Sequence, residues 1–205
     1  MSINLPLRCS CGTVQGVVSG VSAKVGTRVV CYCDDCQAFA HYLGRPESVL
    51  DEHGGTSVFQ VSPARMAFNT GAEHLACVDL TGKGVIRWYT NCCRSAVGNT
   101  MSSSALPFVG MIQTIVDLEA AGTTAEEAYG PRTANVHLKF ARQGALPLDV
   151  QAAPVVAILL RFFSKVIGWR LQGAHRKSPF FDPQTGKPIV EPIVLGKDER
   201  KKLYP

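Results

Sequence analysis

Long apolar runs are missing from this 205-residue chain. No stretch of about 18 consecutive apolar residues occurs, so no segment reads as a transmembrane helix. The opening residues, Met1 to Arg8, hold no apolar stretch of the kind a secretory leader carries. A reducing, cytoplasmic setting is therefore expected. Charge is sparse, at 18 % of residues against 46 % apolar. That is the balance of a globular protein, and the length allows one domain with an extension or two small domains. Internal repeats are absent too.

What the chain does have is cysteine in clusters. Seven of its eight cysteines fall into three groups. Cys9 and Cys11 flank Ser10. Cys31, Cys33 and Cys36 follow in a C-x-C-x-x-C pattern. Cys92 and Cys93 are adjacent, and only Cys77 stands apart. Disulfides would not persist in a reducing compartment, and a chain of this length can bury a core without staples. Inert buried thiols are the remaining alternative to metal. Soft thiolate ligands favour zinc over magnesium or calcium, with iron–sulfur the weaker rival. Seven grouped thiols divide into a set of four and a set of three. Four thiolates make a closed, structural zinc site, whereas three leave the open position typical of catalytic zinc.

Charge is unevenly spread. From Arg161 onward ten Lys/Arg face four Asp/Glu, while the first 160 residues hold eleven and twelve, so the +5 total divides into +6 and −1. Such a tail is either solvated or meets an anionic partner. No specific nucleic acid is expected.

Residues 1–100 read as mainly β. Strands are expected over 12–20, 27–33, 56–61, 65–69, 74–80 and 85–90, from alternating apolar positions bounded by glycine turns. The period of two puts Cys31 and Cys33 on one face, and Cys9 and Cys11 on another. Cys36 falls at the start of a short helix whose N–H groups favour thiolate. Cys77 lies in an apolar strand and reads as a small buried hydrophobe. Residues 101–205 form a mixed α/β extension. Helices are expected over 113–121 and 124–129, the second capped by Thr123 or Thr124, and a strand over 135–141. An amphipathic helix over about 152–171 places Val155, Ile158, Leu159, Phe162, Val166 and Trp169 on one face and Arg161, Lys165 and Gln172 on the other. It could pack on the core, join a homo-oligomer, or touch a membrane interface. A basic, Pro-rich tail ends in the charged run 197–202.

The set of three is the chemically interesting one. Cys31, Cys33 and Cys36 can bind one zinc and leave a position for water or a substrate thiol. Alternatively His41, Asp34 or Asp35 completes a structural site. The same three residues are the local candidates to take a proton. Arg45 and Arg94 are the nearby cations for an anionic thiol.

The three cysteine groups in this order, with Gly12 after the first, Gln37 after the second and Ser95 after the last, resemble the glutathione-dependent formaldehyde-activating enzymes. These are grouped with centromere protein V. The resemblance covers about residues 7–100 and implies twisted antiparallel sheets organised by zinc. By it, Cys9, Cys11, Cys92 and Cys93 hold a structural zinc, and Cys31, Cys33 and Cys36 a catalytic one. It implies carbon–sulfur lyase chemistry on a glutathione-type adduct of a small aldehyde. The late pair departs from the family pattern of Cys-x-x-Cys followed by Gly-Ser. Thr90 stands where the first Cys is usual, and Arg94 where the Gly is. Adjacent residues tend to point apart, so Cys93 is the safer ligand and Cys92 needs a local kink. A non-catalytic, zinc-organised binding module that uses the basic, amphipathic C-terminal region is the alternative.

Overall fold

The computed structural model describes residues 2–142 and 155–204. Eleven strands and five α-helices follow one another in these segments. They are β1 (Ile3–Arg8), β2 (Gln15–Val21), β3 (Thr27–Cys31), α1 (Asp34–Tyr42), α2 (Pro46–Val49), β4 (Thr56–Val61), β5 (Met66–Thr70), β6 (Leu75–Asp79), β7 (Val85–Thr90), β8 (Ala96–Met101), β9 (Val109–Ile112), α3 (Ala125–Tyr129), β10 (Ala134–Val136), α4 (Val155–Leu171), β11 (Ile193–Val194) and α5 (Lys197–Lys201). The fold is mainly β, as the alternating patterns predict.

Strands β1, β2 and β5 form a three-stranded antiparallel sheet. The other eight form one sheet in the order β10-β3-β4-β9-β8-β7-β6-β11. Its interior pairs are antiparallel, while the outermost strands, β10 and β11, join in parallel. β9 lies between β4 and β8, so chain beyond residue 100 sits inside the sheet.

Two apolar layers hold the large sheet. On one side Leu5, Leu7 and Val18 of the small sheet meet Phe59, Trp88 and Met111, with Phe180 and Phe181 of the tail sealing the layer. On the other side Ala38, Phe39 and Ala40 of α1 pack with Val29, Val58, Tyr89 and Ile112, and Leu195, Leu203 and Tyr204 join them. The tail thus contributes to both layers. Fully burying one such side chain stabilises by about 1.5–3 kcal/mol.

Several local expectations fail for identifiable reasons. The helix expected over 113–121 reduces to a single 3₁₀ turn at Gln113–Ile115. Val116 bridges to Leu7 and the Asp117 N–H donates to the Pro6 carbonyl, so the backbone is drawn against β1. The strand expected over 135–141 stops at Val136, because His137 takes a left-handed φ of 60°. The charged run at 197–201 is helical. Asp198 and Glu199 in its first turn and Arg200 and Lys201 in its last complement the helix dipole. Residues 152–154 of the expected long helix lie outside the described residues. No helix among the described residues is long and apolar enough to cross a membrane.

Candidate metal centres

Two cysteine groups assemble, the first from parts of the chain that the fold brings together and the second from one local stretch. The first is built from two turns. Between β1 and β2 the Cys9 N–H pairs with the Val14 carbonyl and the Gly12 N–H with the Cys9 carbonyl. This closes a tight turn that needs a left-handed Gly12, at φ 79°. Between β7 and β8 the Arg94 N–H reaches back 2.7 Å to the Thr90 carbonyl. The four sulfurs of Cys9, Cys11, Cys92 and Cys93 lie within 4.8 Å of one another. Cys9 and Cys11 are 3.5 Å apart, Cys11 and Cys92 3.5 Å, Cys9 and Cys92 3.8 Å, and Cys92 and Cys93 3.8 Å. Sulfurs about 2.3 Å from a tetrahedral zinc stand about 3.8 Å apart. The donor set therefore fits that ion.

The adjacent pair converges because the backbone is bent at the residue that follows it. Arg94 adopts φ 56°, one of two left-handed non-glycine residues among those described. A side chain there costs about 1–2 kcal/mol. Compensation comes from the guanidinium, which donates to the carbonyls of Tyr42 and Leu43 and lies 4.9 Å from the Tyr42 ring and 5.6 Å from that of Tyr89. Arg45 performs a parallel task from α2's N-cap, donating to Ser10 Oγ at 2.6 Å and to the Cys93 carbonyl at 2.9 Å. Both arginines thus fasten turns. Burial pushes the Cys93 thiol up, but hydroxyls of Ser10, Ser95 and Thr90 and the Cys11 N–H outweigh it and hold the thiol at about 4.

The second group sits where β3 ends and α1 begins. Cys31 closes the strand, Cys33 is the N-cap of the helix, and Cys36 lies in its first turn. The sulfurs of Cys31 and Cys33 are 3.4 Å apart, and the Cys36 N–H donates to Cys33 Sγ at 3.4 Å. All three sulfurs lie within 4.8 Å of one another, and no Asp, Glu or His among the described residues joins them. His41 turns to Arg142, 3.0 Å away. Asp34 accepts the Asp35 N–H.

Arg87 is the functional residue that sequence reasoning missed. It is 4 % exposed on β7, with Nη1 3.7 Å from Cys36 Sγ and 3.2 Å from Asn99 Oδ1, and Nη2 3.9 Å from Asp35 Oδ2. Thiol hydrogen bonds from Cys31 and Cys33, aided by Arg87 and opposed by burial, hold Cys36 well below the usual thiol range. Cys31 is pushed far up by its hydrogen bonds to Cys33 and Cys36 and by burial. Cys33 is lowered by Cys31 but raised more by Cys36 and burial, to about 12. One negative charge therefore rests on Cys36, opposite Arg87. The signal was available: a lone Arg inside the apolar strand of residues 85–90 must be buried with a partner.

The chain's end closes on this group. Tyr204 Oη donates to Asp35 Oδ1. Beside it an open hollow of about 470 Å³ is lined by Asp34, Lys197, Arg200, Lys201 and Tyr204. Cys77, by contrast, is buried in β6 with its sulfur toward the Val190 carbonyl, and burial pushes its thiol up to about 12.

Residues 1–193 match the model of DUF6151, a family of unknown function. The chain belongs to that family. No curated protein matches it. The DUF6151 match takes in both cysteine groups, β9 and the whole of α4, and stops within β11. Of the residues lining the hollow, Lys197, Arg200, Lys201 and Tyr204 lie beyond the match, and Asp34 lies within it.

Proposed function

We propose that the chain binds two zinc ions, a structural one at Cys9, Cys11, Cys92 and Cys93 and a catalytic one at Cys31, Cys33 and Cys36. We read the second as the centre of a carbon–sulfur lyase-like activity on a thiol adduct of a small aldehyde. One observation carries this: three convergent thiols with no fourth Cys, His, Asp or Glu donor among the described residues, backed by the buried Arg87. Three thiolates and a divalent ion carry one net negative charge, which Arg87 balances in a site with little water. The resemblance of residues 7–100 to the formaldehyde-activating enzymes supports the reaction class.

A bound zinc supplies a Lewis acid and favours the thiolate form of an added thiol. The protein's residues do the rest. Cys33 caps α1, which fixes the spacing of Cys31 and Cys36. Asp35, held between Arg87 and Tyr204, is the group to take the proton that a thiol gives up. Lys197, Arg200 and Lys201 in the hollow supply the positive charge a glutathione-like anion needs. Calorimetric titration of the zinc-loaded protein with glutathione and its S-methyl derivative tests the reading. Glutathione should bind at least about tenfold more tightly, and equal affinities would overturn sulfur ligation. A second reading, a zinc-organised binding module, is favoured by the exposed apolar side chains of α4.

A further inference from the structure

Helix α4 is held to the body along one side only. Val166 and Trp169 are buried there with Ala174, and Phe162 packs edge-on against Phe108 at 5.0 Å. Three cations tie the helix to backbone carbonyls: Lys165 to Lys24 at 2.7 Å, Arg170 to Ala105 at 2.6 Å and Arg161 to Ala23 at 3.5 Å. Away from this side runs a second apolar stripe. Val156 is 69 % exposed, Leu159 47 %, Leu160 67 %, Phe163 50 %, Ile167 59 % and Leu171 84 %. Their spacing of three and four residues puts them on one face of about 120°. Soluble proteins rarely leave such a stripe uncovered.

Charge says what covers it. Between Asp149 and Asp182 the chain has five Lys/Arg and no Asp or Glu. A second copy laid face to face would bring two such cationic segments together. A nucleic acid would answer the charge but not the apolar face. Among the described residues no helix is long and apolar enough to cross a bilayer, the 17 described residues of α4 spanning about 25 Å against a hydrocarbon core of about 30 Å. We propose that the outer face of α4 seats on an anionic lipid surface and lies in the plane of the interface. Leu160, Phe163 and Ile167 enter the acyl boundary, and the exposed Arg176 and Lys177 just past the helix supply positive charge at headgroup level. This goes beyond either reading of the metal centres, because it needs no chemistry at the thiols.

The test is sedimentation of the full chain with phosphatidylcholine vesicles, alone and with about one third phosphatidylserine. Binding should be at least about tenfold stronger to the anionic vesicles and should weaken with added salt. Phe163→Glu should abolish it while leaving the circular-dichroism melt unchanged, because the side chain is half exposed. Should that variant fail to fold, Leu160→Ser must show the same loss. Equal binding to both vesicle types, or none to either, overturns the proposal. So does a dimer in sedimentation velocity that Phe163→Glu breaks, which would assign the face to a second copy.

Discussion

Arg87 Nη1 stands 3.7 Å from Cys36 Sγ, a buried cation against the thiol most readily ionised in the second cluster. Removing one partner of a buried charge pair costs about 3–5 kcal/mol, because the other is left uncompensated. Arg87→Met should therefore lower stability by that order and cut zinc content to one equivalent per chain. Elemental analysis and a thermal melt check both. Retention of two equivalents would show that Arg87 does not support the cluster.

The two clusters should respond differently to loss of a ligand. Cys9→Ser or Cys93→Ser removes a donor that joins two distant turns, and should cost on the order of 4 kcal/mol, about 10 °C in Tm for a chain of this size. Cys33→Ser should cost much less and abolish glutathione binding. Equal loss of Tm in both variants would remove the distinction between structural and catalytic ions.

Cys77 takes no part in either group. Cys77→Ala should leave zinc content and thiol binding as they are, at a cost of about 1 kcal/mol for a small buried side chain. Loss of a zinc equivalent would refute the division of the thiols.

Arg94 offers a backbone test. Arg94→Gly and Arg94→Ala both lose the Tyr42 and Tyr89 contacts, but only glycine relaxes at φ 56°. The alanine variant should be the less stable by about 1 kcal/mol. Chemical denaturation of the pair measures the difference. Equal stabilities would mean that the turn at Cys92 and Cys93 carries no strain.

Metal uptake at the second cluster should depend steeply on pH. Without metal, Cys31 and Cys33 are held up, so both are protonated at neutral pH, while Cys36 is already thiolate. Zinc uptake there must release two protons, and apparent affinity should rise about 100-fold per pH unit through neutrality. At the other cluster Cys93 is already ionised above about 4, while burial pushes Cys92 up to about 12, so uptake there releases a proton too. Competition titrations at several pH values read the slope, and a flat profile would contradict this protonation pattern.

The strands that alternate cleanly were legible in the residues. Thr56–Val61 and Val85–Thr90 fall where the pattern puts them, and Thr124 caps α3 through a capping box with Glu127. The spacing of Cys31, Cys33 and Cys36 also contained its own geometry, because strand end, cap and first turn are local features. β8 and β9 were hidden by glycine. At Gly98 an added Cβ would stand 2.9 Å from the Gly110 carbonyl, so the two strands approach only without side chains there. A glycine that permits such contact looks in sequence like a weakness in the strand. Likewise the coupling of Cys9 to Cys92 depends on two turns more than 80 residues apart, and no local pattern carries that.

The position of β9 has a consequence for how the chain is made. β4 and β8 touch it from either side and do not pair with each other. Until residues 109–112 leave the ribosome, a nascent chain that already holds all eight cysteines has two open strand edges facing a gap one strand wide. Such edges recruit foreign strands. Thiols able to capture metal are therefore synthesised before the sheet that spaces them can close. A chain stopped at residue 100 would keep every cysteine thiol and lose the scaffold, giving aggregates that bind metal without order.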